Sequence, residues 1–236
     1  MKVFDAQAYW NRRLPQYPGL TGVGYRRLGA AYNRWLYRIR SHVVRRLIAT
    51  LHLGAQPSRV IDIGSGTGYY VREWLLAGAG EVIASDFSEA ALEQLRARFP
   101  AIQAIQLDIT AAELPAILRR FDVVSAFDVL FHVTDDDAYR RAIANCYALC
   151  RPGGYFVFSE LLFKRRHEGM PHMGARTHLL GDWAGDLLGR ALFTVERVLV
   201  SRCFESKSAQ LVVCRRPPRV PNDASRSGDF IATGGA

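Results

Sequence analysis

The sequence predicts a doubly wound α/β domain, in which helices cover both faces of a mostly parallel sheet. From residue 59 onward, short β-branched segments alternate with longer helical patterns, an order typical of a parallel sheet. A glycine-rich turn follows the first β-branched segment, and an acidic residue lies at or near the end of each of the first three. With 236 residues and 49% hydrophobic content, the chain is large enough for one such domain with a substantial core.

The elements of this domain follow from local patterns. Strands are predicted at 59–63, 81–85, 102–107, 121–127 and 155–160. Helices are predicted at 68–78, 88–98, 111–119 and 136–150. Ser88 has the position of an N-cap, and Thr134 precedes three aspartates that complement a helix N-terminus. Two later β-rich segments, 192–200 and 209–214, are separated by a short polar stretch and predict an antiparallel hairpin at the sheet edge.

The first 52 residues are predicted to form a basic N-terminal extension. A helix is expected over 33–52, because Leu36, Ile39, Val43 and Leu47 recur at helical spacing. Residues 5–32 are expected to be irregular and to pack against the domain, with a lid over a site as the alternative. The first 50 residues hold ten basic residues and one acidic residue, whereas the remainder is balanced at 21 of each. The net charge of +9 therefore belongs to this extension, where it suits nucleic acid, an anionic lipid surface, an acidic small molecule or a solvated helix face.

The remaining organisation is simple. The sheet domain is expected over 53–214, and the Pro-, Ser- and Gly-rich residues 215–236 predict a disordered tail. No apolar run reaches the roughly 20 residues of a membrane span, and no secretion signal is recognised, which predicts a cytoplasmic protein. Cysteine and histidine spacings do not fit a zinc site, so no metal is expected.

The most informative motif is the turn after the first strand. It consists of Asp62, Ile63, Gly64, Ser65, Gly66, Thr67 and Gly68. Glycines at alternate positions let the backbone approach a ligand closely. A dinucleotide fold has a different glycine spacing and an uncharged strand end. An acid at that end favours a cationic ligand, such as an amino-acid ammonium group, over a pyrophosphate.

Two further acids complete a pattern. Asp86 closes the second strand 20 residues after Gly66, a position from which a carboxylate can accept both ribose hydroxyls. Asp108 follows the third strand and can accept a hydrogen bond from an adenine amino group. The three acids together predict a pocket for an adenosine that carries a positively charged amino-acid tail.

In this order of motifs the chain resembles the class I S-adenosylmethionine-dependent methyltransferases, of the stand-alone bacterial small-molecule type, over roughly residues 59–214. Residues 62–68, 85–88, 107–109, 121–124, 128–133 and 149–154 carry the resemblance. It implies a Rossmann-like, seven-stranded sheet with an antiparallel last strand, and S-adenosylmethionine as the cofactor. It also places Phe87, Ile109 and Phe127 beside the cofactor, with Phe87 packing on adenine.

The candidates for catalysis lie after the fourth and fifth strands. Ligands of open α/β sheets bind beyond the carboxyl ends of the strands, which predicts that Asp128, His132 and Glu160 lie near the methyl acceptor. His132 is the best candidate for a general base, because imidazole titrates near neutral pH, although it can equally position the substrate. Asp128 and Glu160 as magnesium ligands are a less favoured alternative.

The acceptor is predicted to be a small molecule, a sugar or a lipid-linked compound that is methylated on oxygen or nitrogen. Basic residues within 164–178 can bind a carboxylate or phosphate of an anionic acceptor, and they can equally form a solvated loop. The alternatives are an RNA methyltransferase that uses the basic extension and a cofactor-binding regulator without catalytic activity. Against RNA, residues 127–130 lack the Asn/Asp-Pro-Pro-Tyr run associated with exocyclic base amines, and no Pro-Cys nucleophile is present. The sequence does not predict the oligomeric state.

Overall fold

The architecture is a mixed sheet between helices, as the sequence predicted. The structure is a computed structural model, and it describes residues 5–54, 58–115, 118, 120–163, 178–179, 194–200 and 209–218. Its strands are β1 (Arg59–Ile63), β2 (Glu81–Asp86), β3 (Gln103–Gln106), β4 (Phe121–Ala126), β5 (Cys150–Phe163), β6 (His178–Leu179), β7 (Thr194–Val200) and β8 (Ala209–Arg215).

The strand order is β3-β2-β1-β4-β5-β8-β7, and the two-residue β6 pairs with the end of β5. The first five strands in this order are parallel. β8 runs antiparallel to β5, and β7 runs antiparallel to β8. The doubly wound fold and the antiparallel final hairpin are therefore confirmed. The described residues contain one strand more than the seven expected, and this additional strand is β6.

The helices are α1 (Ala6–Gln16), α2 (Leu20–Val23), α3 (Gly29–Ile48), α4 (Tyr69–Leu76), α5 (Glu89–Arg98) and α6 (Asp136–Leu149). Two hydrophobic clusters lie on opposite faces of the sheet. One includes Leu47, Trp74 and Leu92, which belong to α3, α4 and α5. The other includes Ile143 and Cys146 of α6. No helix in the described part of the chain is long and apolar enough to cross a membrane.

The prediction that residues 5–32 are irregular is wrong, because α1, α2 and a short 3-10 helix at Arg26–Leu28 occupy this segment. The pattern misled because α1 buries only Leu14 and therefore shows no apolar stripe. Three polar contacts attach α1 to the sheet domain. Gln7 donates to the carbonyl of Phe87 (3.1 Å), Ser88 Oγ donates to Asn11 Oδ1 (2.7 Å), and Gln94 donates to the carbonyl of Leu14 (3.3 Å).

Two predicted boundaries also differ. The described residues of 111–119 are not helical, because Pro115 lies inside the predicted helix and lacks the N–H that a helix requires. The predicted tail begins too early, since Arg215 belongs to β8. The next residue, Arg216, donates to the carbonyls of Tyr147 and Cys150 (both 2.7 Å). Residues 219–236 lie outside the described residues.

Helix α3 binds the sheet domain through a polar contact with α4. It spans Gly29–Ile48 instead of 33–52, and its Ser41 is buried. Ser41 Oγ donates to Glu73 Oε1 (2.8 Å), and Arg45 forms an ion pair with the same carboxylate. Glu73 is completely buried, whereas half of the Arg45 side chain is exposed. The guanidinium group of Arg45 thus supplies the counter-charge for a carboxylate that water cannot reach.

This ion pair makes a prediction about stability. Arg45→Met should lower the free energy of unfolding in urea by about 1–3 kcal/mol, because it leaves the buried Glu73 carboxylate without its counter-charge. The neighbouring Arg46 is exposed, so Arg46→Met should stay within about 0.5 kcal/mol of the unmodified protein. Equal effects of the two substitutions would contradict the assigned role of the ion pair.

Candidate functional site

A cavity of about 950 Å³ lies at the carboxyl ends of the parallel strands, where open α/β sheets bind ligands. Its size is at the upper end of the roughly 300–1,000 Å³ range of ligand pockets. Its walls are the glycine turn after β1, the end of β2 and the loops after β3 and β4. Its cover comes from α1, α2 and the 3-10 helix. The N-terminal extension therefore lies over the predicted site, as in the lid alternative.

The glycine turn presents backbone to this cavity. Gly64, Gly66 and Gly68 have φ values of 63°, 52° and 75°, in the left-handed region that favours glycine. A Cβ at Gly64 would lie 2.5 Å from Val129, and one at Gly68 would lie 2.4 Å from Phe99. Ser65 and Thr67 between the glycines are buried and, like Gly64 and Gly66, line the cavity.

Asp62 lies beneath this turn and does not line the cavity. It is 2% exposed, and its carboxylate accepts a hydrogen bond from Ser125 Oγ (2.6 Å), which itself accepts one from Trp74 Nε1 (3.0 Å). The carbonyl oxygen of Asp62 accepts from Ser65 Oγ (2.8 Å) and Ser85 Oγ (2.9 Å). Burial raises the pKa of Asp62 to about 7. Its contact with a ligand ammonium group stays a prediction.

Asp86 faces the cavity from the end of β2. Its carboxylate accepts hydrogen bonds from the backbone N–H groups of Gly66 and Ser88 (both 2.9 Å), which fix its orientation beside the glycine turn. Burial raises its pKa to about 6. Phe87, the next residue, also lines the cavity. The structure therefore brings the predicted ribose acceptor and the glycine turn into direct contact.

The loops after β3 and β4 complete the wall. Asp108 accepts hydrogen bonds from the backbone N–H and the hydroxyl of Thr110 (2.8 and 2.7 Å), and it lines the cavity together with the buried Ile109. Phe127, which is 3% exposed, packs against Tyr70 with ring centroids 4.6 Å apart. Every predicted cofactor residue from Gly64 to Phe127 except Gly68 lines the cavity.

Asp128 lines the cavity but is held by an ion pair that the sequence did not predict. Arg40 of α3, whose side chain is 1% exposed, donates to Asp128 Oδ2 (2.7 Å). Ser159 Oγ accepts from the backbone N–H of Asp128 (2.6 Å) and donates to its Oδ1 (3.0 Å). Asp128 also has a φ of 59°, unusual for a residue other than glycine. A carboxylate so engaged is better suited to fixing the loop than to removing protons or binding magnesium.

His132 lies in a 3-10 helix (Leu130–His132) after β4 and lines the cavity. Its ring contacts Trp10 of α1 edge-to-face, with centroids 5.4 Å apart, and packs against Phe131 at 4.5 Å. Glu160 belongs to β5 and pairs with Gln210 through the backbone. The side chain of Glu160 and residues 164–177, which contain most of the predicted anion-binding segment, lie outside the described part of the chain.

Sequence reasoning missed a group of cavity residues on α1, namely Tyr9, Trp10 and Arg13. Arg13 donates to Tyr9 Oη (2.6 Å) and to the carbonyl of Gly24 (2.7 Å), and its guanidinium carbon lies 5.1 Å from the Trp10 ring. Its buried Nε forms no hydrogen bond with any described residue. The signal was the mixture of aromatic and arginine side chains in a segment without an apolar stripe.

The sheet order, the glycine turn and the carboxylates at successive strand ends define a class I S-adenosylmethionine-dependent methyltransferase fold. Residues 60–154 match the family described as "Methyltransferase domain". This part of the chain is therefore a class I methyltransferase domain that uses S-adenosylmethionine, and the resemblance found in the sequence is confirmed.

The proteins to which this chain is similar have names that describe different activities. The chain is 33% identical over 114 residues to a tRNA U34 carboxymethyltransferase of Azotobacter vinelandii, a match that covers 47% of this chain and 35% of that protein. It is 34% identical over 111 residues to a ubiquinone biosynthesis O-methyltransferase of Alkalilimnicola ehrlichii, covering 46% and 43%. The match thus spans well under half the length of either relative.

Among solved structures, magnesium protoporphyrin IX methyltransferase of Synechocystis with bound S-adenosylhomocysteine has a TM-score of 0.63 at 19% identity, covering 89% of this chain and 97% of that one. At this identity the likeness concerns the fold. The residues present fit the cofactor of the class, because a glycine-rich turn, a carboxylate with a fixed orientation at Asp86 and a second carboxylate at Asp108 line one cavity.

The raised pKa of Asp86 predicts that cofactor affinity depends on pH. An ionised carboxylate can accept hydrogen bonds from two ribose hydroxyls, whereas its protonated form has lost part of that capacity. The affinity for S-adenosylhomocysteine should therefore be greatest above the pKa of about 6. It should fall by up to about tenfold per pH unit below it.

Calorimetric titrations from about pH 5 to pH 8 measure this dependence. Asp86→Asn should bind weakly and without the step near pH 6, whereas Asp108→Asn should retain the step at reduced affinity. A constant affinity of the unmodified protein across this range would contradict the assignment of Asp86.

Proposed function

We propose that the protein methylates an oxygen or nitrogen atom of a small-molecule, sugar or lipid-linked acceptor, using S-adenosylmethionine. The observation that supports this proposal most is the covered cavity. It joins the cofactor wall to a chamber lined by aromatic and basic side chains from the N-terminal helices. A covered cavity of this kind suits a compact acceptor, because the covering helices limit the access of water to the reacting groups. A cytosolic site of action is part of the proposal.

S-adenosylmethionine, when bound, supplies an electrophilic methyl group on a sulfonium centre. The turn at residues 64–68 would hold its amino-acid part, Asp86 its ribose and Asp108 the adenine edge. Phe87 and Ile109 would enclose the purine. The remaining task of the chain is to hold the acceptor nucleophile in line and to exclude water, and alignment alone can supply much of the rate enhancement.

We assign the acceptor side to His132 and the residues packed around it. The ring of Trp10 against the imidazole restricts how His132 can turn. From the cavity wall, a ring nitrogen of His132 would take the proton of an acceptor hydroxyl or ammonium group, since imidazole titrates near neutral pH. Asp128, which is bound to Arg40 and Ser159, would keep the loop between Phe127 and His132 in place.

An anionic acceptor is favoured by Arg13. This side chain lines the cavity in a fixed orientation, because two of its five N–H groups donate to Tyr9 Oη and to the carbonyl of Gly24. A guanidinium group with a donor still available suits a carboxylate or phosphate on the bound molecule. The surrounding rings of Tyr9 and Trp10 suit an acceptor that also has an aromatic or other apolar part.

The direct test has two stages. Calorimetry with S-adenosylhomocysteine measures cofactor binding, and labelled S-adenosylmethionine measures transfer to a panel of small hydroxyl and amine compounds with and without an anionic group. Binding followed by transfer to an anionic member supports the proposal. Failure to bind would overturn it, and binding without transfer to any acceptor would favour a regulator.

His132→Ala should lower turnover by about two to four orders of magnitude, because it removes the proposed proton acceptor. The affinity for S-adenosylhomocysteine should change by less than about threefold, because the cofactor wall is intact. His52→Ala is the matched control, since His52 is exposed after α3. Turnover of His132→Ala equal to that of the control would show that this imidazole is dispensable.

A tRNA acceptor is the second candidate. The similarity to a tRNA U34 carboxymethyltransferase and the positive charge of the first 50 residues favour it. If tRNA is the substrate, its binding should weaken by at least about tenfold between 50 and 200 mM salt, because phosphate contacts release counterions. A compact metabolite with a single charge should lose far less affinity, so paired binding measurements at the two salt concentrations distinguish the candidates.

A further inference from the structure

One exposed surface of the N-terminal extension contains no residue that is individually assigned above to the cofactor or the acceptor. We call it the basic aromatic face and define it by Arg27, Leu28, Arg34, Trp35 and Arg38. Leu28 is 53% exposed and Trp35 is 56% exposed, and the three arginines are also exposed. On α3, residue 38 lies four positions after residue 34 and three positions after residue 35, so the three residues lie within about 100° of one another around the helix. Large apolar side chains are thus displayed in a positively charged setting.

The charge of this face is not neutralised locally. The chain contains no acidic residue between Asp5 and Asp62. Within the described part of the chain, Arg34 and Arg38 form no ion pair, whereas Arg45 on the same helix pairs with Glu73. A helix with these cations and an exposed indole on one side is therefore complementary to an anionic surface.

The basic aromatic face is continuous with the cavity. Arg27 and Leu28 line the cavity rim as well as the surface. Tyr25, which also lines the cavity, contacts Tyr32 with ring centroids 6.0 Å apart, and Tyr32 contacts Trp35 at 5.6 Å. A row of aromatic rings thus connects the acceptor chamber to the exposed indole. Whatever binds this face lies beside the cavity entrance.

We infer that the basic aromatic face docks on an anionic lipid surface. Arginines at this face would lie among anionic headgroups, and Trp35 and Leu28 would enter the interfacial region, where indole and aliphatic side chains are favoured. Leu28 favours lipid over RNA, because an aliphatic side chain offers neither a phosphate contact nor a stacking surface. The inference goes beyond the proposed methyl transfer and adds a route by which an amphiphilic acceptor enters from the interface.

Vesicle sedimentation tests this inference without any methyl transfer, so its failure is distinct from failure of the proposed function. The full chain should bind vesicles that contain phosphatidylglycerol and should bind pure phosphatidylcholine vesicles at least about tenfold more weakly. Arg34→Gln and Arg38→Gln should each lower the partition coefficient about fivefold, and the double variant about 25-fold. Arg120→Gln is the matched control, because Arg120 is exposed just before β4, at the amino end of this strand and therefore at the end opposite the cavity.

A second measurement reports on insertion of the indole. Lipids brominated near the headgroup should quench part of the tryptophan fluorescence. Trp35→Phe should remove that quenching, and the melting temperature of this variant should equal that of the unmodified protein. Equal binding to anionic and neutral vesicles, or equal loss in the arginine variants and the Arg120→Gln control, would overturn the inference. If the arginine variants lose affinity for tRNA and the unmodified chain does not bind vesicles, the surface binds nucleic acid and the lipid assignment is wrong.

Discussion

The site depends on the buried hydrogen-bond chain that begins at Trp74 and ends beneath the glycine turn. Two successive hydrogen bonds link Trp74 on α4 to Ser125 on β4 and Ser125 to Asp62 on β1. The carbonyl oxygen of Asp62 accepts hydrogen bonds from two serine hydroxyls. Buried polar groups of this kind are costly unless each has a partner. Because these partners come from a helix and three strands, the turn adopts its shape only when the sheet has assembled around it.

The N-terminal extension covers the cavity at the carboxyl ends of the strands and supplies part of its lining. The Arg40 ion pair attaches α3 to the loop after β4, and the Arg45 ion pair attaches it to α4. Asn33, which is fully buried, donates to the carbonyls of Tyr25 and Gly29 and accepts from the N–H of Tyr25, so the 3-10 helix is fixed against α3. Polar anchors thus hold the segment that supplies the aromatic and basic lining.

The parallel strands and the cofactor wall could be predicted because they depend on local patterns. β-branched runs, glycine spacing and strand-end acids are visible without knowledge of contacts. The cover of the cavity could not be predicted. Helix α1 buries a single residue, and its position depends on residues about 80 positions away in the sequence, as in the contact of Gln7 with Phe87. The partners of Asp128 were missed for the same reason, because Arg40 precedes it by 88 residues. The prediction of a helix at 111–119 was wrong because it relied on the composition of the segment and gave too little weight to Pro115, which disrupts a helix interior.

The attachment of α1 bears on how ligands enter and leave. Its contacts with the sheet domain include three single hydrogen bonds, the contact of Trp10 with His132 and one buried leucine. Water can replace such bonds at little net cost, whereas separating α3 would expose the Glu73 carboxylate and a long apolar stripe. A hinge between the two helices would therefore open the chamber at α1 first, and spent cofactor would have an exit that leaves α3 attached to the sheet domain.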